Sequence, residues 1–394
     1  MNPTTIHNTY KHVLHLLGEA NLSEAISQSR VLCDELRDGG LLDKLNEIEL
    51  NYNYMLQYFV QGTPDPQRLL MYNRLVASTY LLISELREQL LVRTSANFEY
   101  LQKRVFPHTM HFSTISSLTD SLKYHHALPY YDAIQQKNFE NLYRDIFSVF
   151  WLKTNFTHSE LELFKMLVSE QYVGKSEKML AVTALTLNIW RMFDEDKIQM
   201  LIDCCNNSDV EIKQRGLVGL CFILARFNRF IPYFPQIRNR VLILANDTAT
   251  ATNFKNIIVQ IIATLDTEKI TKRLRDEILP EIMKLSPQIK EKFEADNLLK
   301  SEEWEESNPE WQELLEQSGV KEKIEELNEL QLEGADVYMG TFAMLKSFSF
   351  FSEISNWFLP FDANHTAIKS LFEANDSHLL TAFVKNNMLC NSDK

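Results

Sequence analysis

The sequence predicts an all-α protein, an α-solenoid of stacked helical hairpins. Three observations carry that expectation. Gly and Pro number only 10 and 11 among 394 residues, against ordinary usage of roughly 7% and 5%. Turns are therefore too scarce for a β-sandwich, a barrel or a glycine-rich nucleotide fold. Apolar residues recur every three or four positions along most of the chain, the period of an amphipathic helix. The middle of the chain also repeats itself: displaced by 35 residues, Gly216 falls on Ala181, Gly219 on Ala184 and Leu220 on Leu185. Self-similarity at such a period is the mark of stacked repeats.

Residues 1–153 read as helical hairpins. Tyr10, Val13, Leu14 and Leu17 form the first stripe. Asn21 followed by Glu24 marks a second helix start, and Gly39-Gly40 is expected to end that helix. The turn from Gly18 to Ala25 resembles the tight junction of a tetratricopeptide repeat, with a polar pair, an apolar residue, two polar residues and a small one. A longer helix carries Leu45, Ile48, Tyr52, Leu56 and Phe59, and Thr63-Pro64-Asp65-Pro66 breaks it. The next, with Leu69, Tyr72, Val76, Ile83 and Leu90, is expected to be about 25 residues long, which fits either two long hairpin arms or a bundle. Pro107 and Pro129 punctuate shorter helices, and Phe139, Leu142, Ile146, Phe147 and Phe150 restore a strong stripe.

Residues 154–285 carry the clearest repeats. Thr157 with Glu160 and Ser208 with Glu211 have the spacing of capping boxes. Small residues at Ala181, Ala184, Gly216 and Gly219 mark where helices approach closely. A fainter third pair contains Ile237, Val241 and Leu244, then Phe254, Ile257, Ile258, Ile261 and Leu265, and a further helix is expected over 267–285. The phrase Asp209-x-Glu211-Ile212-Lys213-x-x-Gly216-x-x-Gly219-Leu220 resembles the second helix of a HEAT repeat. That resemblance implies that Asp209 caps the helix and that the basic residue, Lys213, bonds to the Asp of an adjacent repeat. The chain departs from the pattern in having Lys for Arg, Gly for Ala, and Gly174 where the earlier repeat should have Asp. The order of segments, with Asn308–Gln312 and Ser355–Phe361, resembles the N-terminal part of a Bacteroidetes-type tetratricopeptide-repeat protein of uncharacterised role. Such a resemblance implies a scaffold with more repeats beyond about residue 365, and Lys394 would then be an early end.

Residues 286–334 form an acidic helix pair broken near Ser318-Gly319. Twelve glutamates against two lysines over 301–333 carry most of the net charge of −13. Glu302, Glu303, Glu305 and Glu306 around Trp304 read as a solvated face. Residues 335–394 are an aromatic-rich helical segment. Within it Phe348, Phe350, Phe351, Trp357, Phe358 and Phe361 are the candidate protein-binding residues, since aromatic side chains dominate interface hot spots. On an α-helix Phe351, Ile354 and Phe358 would share one face. The same residues could equally fill a core or a domain joint.

The sequence supplies little for catalysis. Gly216–Gly219 sits inside a helical stripe and lacks the strand that a dinucleotide site requires. There is no G-x-S-x-G elbow. His12 and His15, and His108 and His111, are spaced one turn apart, but no H-E-x-x-H occurs. Five Cys without C-x-x-C argue against a disulfide framework or a zinc site, and the adjacent Cys204 and Cys205 are expected to pack as small residues at a helix end. No cofactor is expected. An acidic chain without a basic stripe is a poor nucleic-acid binder, and no segment reads as a membrane span or export signal. The expected function is a non-catalytic, cytoplasmic scaffold for a protein or peptide partner, with Asp209, Lys213, Gly216 and Gly219 as structural repeat residues. The alternative is a helical metal-dependent enzyme using a pair such as His108 and His111.

Overall fold

The computed structural model describes residues 1–264 except 63, 107 and 129–131, together with 269, 272, 276, 349–359 and 365–369. Thirteen α-helices lie among them. They are α1 (Pro3–Gly18), α2 (Leu22–Leu36), α3 (Gly39–Val60), α4 (Arg68–Thr94), α5 (Phe98–Val105), α6 (Ile115–Ala127), α7 (Ala133–Leu152), α8 (His158–Ser169), α9 (Lys175–Arg191), α10 (Glu195–Cys205), α11 (Val210–Phe227), α12 (Pro235–Asn246) and α13 (Thr248–Ala263). Short 3-10 turns occur at Ile231–Tyr233, Ser349–Ser352 and Ile354–Phe358. No strand occurs among the described residues, so the chain is all-helical there, as the periodicity predicts. No helix among them is long and apolar enough to cross a membrane. The chain divides into two compact units, 1–127 with 145–253, and 128–144 with 254–394. The helix expected at 267–285 is described only at isolated residues, and the acidic pair at 286–334 lies outside the described residues. So does the array expected beyond 365, apart from residues 365–369.

In the first unit, side-chain caps set where the early helices begin. Asn2 Oδ1 accepts from the Thr5 amide at 2.8 Å, Asn21 Oδ1 from Glu24 at 3.3 Å and Asp38 Oδ1 from Leu41 at 3.0 Å, satisfying donors that the helix itself cannot. Gly39-Gly40 does not end α2. Arg37 takes the left-handed conformation that closes α2, with φ 57°, and Asp38 then starts α3 on the glycine pair. Helices α1, α2 and α3 all pack on α4. At 1.5 Å per residue, α3 and α4, with 22 and 27 residues, outreach α1 and α2, with 16 and 15. The stripe predicted along α3 is therefore buried at Leu45 and Ile48 but exposed at Leu56 and Phe59, because α1 and α2 are too short to reach that far.

Helices α8–α12 of the same unit pack in succession, α8 on α9, α9 on α10 and α11, and α10 on α11 and α12. Asp194 accepts from the Lys197 amide, Asp209 from Glu211 and Ile212, and Asp247 from Thr250. An aspartate thus caps α10, α11 and α13, while α12 starts at Phe234-Pro235 without a side-chain cap; the cap of α11 is Asp209 rather than Ser208. Lys178, which occupies the position of Lys213 one repeat earlier, places its Nζ 3.7 Å from Asp209. One repeat further on, the charge of Lys213 acts on Asp247. The two glycines of α11 face different neighbours. A Cβ on Gly216 would lie 3.1 Å from Cys204 Cβ and Cys205 N of α10, and one on Gly219 would lie 2.4 Å from Thr186 Oγ1 of α9. The series also turns back onto α4: the Tyr80 ring stacks on Phe230 at 3.9 Å and meets Phe193 edge-on at 5.3 Å. That contact joins elements 150 residues apart, so this unit is not a ladder in which each hairpin meets only its chain neighbours.

Alanine at Gly216 gains helix propensity of about 1 kcal/mol, but its methyl group presses on the α10 backbone, which has no room to give. We expect G216A to lower stability by roughly 1–2 kcal/mol net. Urea unfolding followed by circular dichroism reads this directly; an unchanged midpoint contradicts the close approach.

Candidate functional site

The strongest gathering of titratable groups lies inside the first unit. Glu88 lies in α4 beside Arg87 and Gln89, and its side chain and that of Arg191 are each 2% exposed. Arg191 Nε donates to Glu88 Oε1 at 2.7 Å, and Lys103 Nζ donates to the same oxygen at 2.6 Å. Close by, Asn188 Nδ2 donates to the carbonyls of Phe150, Trp151 and Lys153 at 3.0, 3.0 and 2.8 Å. Lys197 Nζ donates to Asn188 Oδ1 at 2.8 Å and to the Lys153 carbonyl at 3.3 Å. These carbonyls are at the C-terminal end of α7, where orphan acceptors and the helix dipole favour cations. Burial pushes both Lys103 and Lys197 down to about 8. Burial alone would raise Glu88, but the charges of Arg191 and Lys103 outweigh it and hold the carboxyl below its ordinary range.

Lys103 also lines an open, mostly apolar groove of about 500 Å³ with Phe106, Met110, Leu152, Lys153 and Glu160. Its ammonium bonds to Glu88, and Lys153 and Glu160 pair with each other. The groove walls thus hold charges already matched within the fold. No motif in the sequence joins the residues of this centre: Glu88 stands among Glu85, Arg87 and Gln89, and Asn188, Arg191 and Lys197 flank the junction of two helices far along the chain.

The histidines are dispersed. His12 and His15 lie on the exposed side of α1, and His108 is exposed. His111 Nδ1 is 3.5 Å from Asp145 Oδ1, while Asp145 Oδ2 accepts from the amides of His111 and Phe112 at 2.7 and 2.9 Å. That buried carboxylate clasps the turn before α6. His126 Nε2 lies 2.9 Å from Glu177, at the start of α9 where Gly174 replaces a capping aspartate. Among the described residues no three His, Cys, Asp or Glu side chains are arranged to hold a metal ion. Cys204 and Cys205 are free thiols buried at the end of α10. Burial pushes the Cys204 thiol up to about 12, and Cys33 and Cys221 up to about 11, away from the reactive thiolate.

The aromatic segment belongs to the second unit and turns largely inward. It forms two 3-10 turns broken at Glu353, so the shared face that α-helical spacing gives Phe351, Ile354 and Phe358 does not apply. Phe350 and Phe351 are buried and meet edge-on at 5.0 Å, and Phe350 meets His365 at 4.8 Å. Asn356 Nδ2 donates to the Phe350 carbonyl at 2.9 Å, and Trp357 Nε1 to the Phe351 carbonyl at 2.8 Å. Trp357 and Phe358 are half-buried. Glu140 of α7 accepts from the Thr366 amide at 2.8 Å and its hydroxyl at 2.5 Å, tying residues 365–369 to the same unit. Phe348 and Phe361 lie outside the described residues.

Exposed apolar surface gathers elsewhere, at the projecting tip of the α3–α4 hairpin. Tyr54, Tyr58, Phe59, Val60, Leu69 and Leu70 are all exposed there, Leu69 at 72% and Val60 at 83%. Arg68 covers one face of the Phe59 ring, its Cζ 4.5 Å from the centroid. Comparison with protein-family models, curated proteins and solved structures yields no match to the chain.

Glu88→Gln tests the buried centre. Because folding holds the Glu88 carboxyl below its ordinary range, its contribution is full above the unfolded value and is lost as pH falls through the folded one. We expect the variant to lose roughly 3–5 kcal/mol near neutral pH, and the gap to narrow on acidification below the ordinary carboxylate range. A gap that does not change with pH contradicts this assignment.

Proposed function

We propose that the chain is a non-catalytic helical-repeat scaffold that binds another protein, with the α-solenoid character expressed in the α8–α13 series. The observation that carries this reading is the apolar hairpin tip. With Leu50, Leu56 and Met71, nine large apolar residues are exposed at this end of the hairpin, and exposed apolar clusters of that kind mark interaction sites. The segment from Glu49 to Arg74 holds two acidic and two basic residues, so it is neutral on a chain of net charge −13. A neutral, aromatic-bearing hairpin suits an amphipathic helix of a partner protein laid along it.

The reading also fits the ionisable groups of the first unit, whose bonds run to helix ends and to one another. The resemblance to HEAT and tetratricopeptide repeats points the same way, since stacked helices offer long binding faces. A cytoplasmic setting belongs to the proposal, in keeping with the thiols of Cys33, Cys204, Cys205 and Cys221, which are unpaired. The excess of negative charge favours a protein over a nucleic acid as the partner.

The test is affinity capture with the whole chain and with Y58S/F59S/L69S, followed by reconstitution with the purified partner. These positions are exposed, so the variant should melt like the parent. We expect a one-to-one complex that the triple substitution weakens by about tenfold or more. A complex of equal affinity with the variant, or no reconstituted complex, overturns the reading.

A further inference from the structure

A second surface of the first unit carries two arginines that are laid on aromatic rings and make no ion pair with an acid among the described residues. Arg226 of α11 places its Cζ 4.2 Å from the Trp190 ring centroid and 5.7 Å from that of Phe227. Arg226 makes no hydrogen bond or ion pair with any described residue. Arg87 of α4 lies 4.8 Å over the Tyr10 ring. Its Nη1 donates only to the Arg191 carbonyl, at 3.4 Å, and its buried Nε has no hydrogen-bond partner among the described residues.

The two arginines belong to one cluster. Phe227 meets Phe193 edge-on at 5.2 Å, Phe193 meets Tyr80 at 5.3 Å, and Tyr80 bonds to Tyr10 beneath Arg87. His7 of α1 feels Lys11, Arg87 and Arg226 together, which with its burial lowers its proton affinity. The nearest opposing charge acting on Arg226 is Glu99, which is not within ion-pair distance. At the rim Trp190 and Phe222 meet at right angles, 6.3 Å apart, and both stay about 40% exposed.

Guanidinium groups stacked on aromatic rings are held flat; the exposed Arg226 keeps its N–H fork for a carboxylate, while Arg87, half-buried and bonded through Nη1 to the Arg191 carbonyl, adds positive charge beside it. The apolar rim beside them would seat an apolar side chain. On a chain of net charge −13, a local excess of cations steers an acidic ligand to this face. Three cations, Arg87, Arg226 and Lys11, without a basic stripe are too few for nucleic acid.

We propose that Arg87, Arg226, Tyr10, Trp190 and Phe222 form a docking site for an acidic peptide segment, a carboxylate taken by Arg226 beside the charge of Arg87 and an apolar residue by the rim. The proposal deepens the scaffold reading and rests on it, since it names a second partner class for the same helical body.

The test is fluorescence anisotropy of the whole chain with a labelled peptide of alternating glutamate and leucine. A lysine–leucine peptide, a single-stranded oligonucleotide and anionic lipid vesicles serve as comparisons. Saturable binding of the glutamate peptide that weakens with salt is expected. Arg226→Gln, at an exposed position, should weaken it by about tenfold or more with an unchanged melting temperature, while Arg226→Lys should retain part of it. Absence of saturable binding, equal affinity of Arg226→Gln, or preference for the oligonucleotide or vesicles overturns the proposal. The Y58S/F59S/L69S variant should bind the peptide normally. Loss of the hairpin complex alone would therefore count against the hairpin, and loss of peptide binding alone against the arginine site.

Discussion

The first unit depends on a carboxylate that its surroundings cannot release. Glu88 of α4 is buried with Arg191 and Lys103 on a single oxygen. An ion taken from water costs several kcal/mol, and only close partners recover it. The same arginine and its neighbours Asn188 and Lys197 stand at the C-terminal end of α7, whose carbonyls would otherwise be buried without donors. The helix junction between α9 and α10 therefore has one arrangement that satisfies both needs. It joins the early helices to the repeat-like series by charge, much as Tyr80 and Phe230 join them by stacking.

Much of the helical plan was legible because it rests on local rules. Caps at Asn2, Asn21 and Asp209 are short-range hydrogen bonds, and their residue types announce them. The small residues of α11 follow from the need for close approach, and the coordinates place Gly216 and Gly219 against different helices. Asp247, which continues the series of capping aspartates, was equally visible in the sequence and passed unnoticed. It lies 38 positions after Asp209, and a strict 35-residue register misses it.

What was not legible depends on contacts between distant parts of the chain. Periodicity shows that Leu56 and Phe59 share a stripe with Leu45, but not that α1 and α2 stop short and leave them uncovered. Aromatic density drew attention to Phe350 and Phe351, yet those rings pack on each other and on His365. The Trp190–Arg226 face involves four helices and no motif at all. Composition could not reveal it, because a net charge of −13 hides a local cluster of cations.

A double-mutant cycle on Glu88 and Arg191 tests most directly whether the buried pair governs this architecture. Glu88→Leu and Arg191→Met, singly and together, would be followed by urea unfolding. Glu88→Leu should be the more severe single change, since it strands both Arg191 and Lys103, and adding Arg191→Met to it should recover part of that loss. Strictly additive losses would show that the two side chains act independently, and the pair could not then be what holds these helices together.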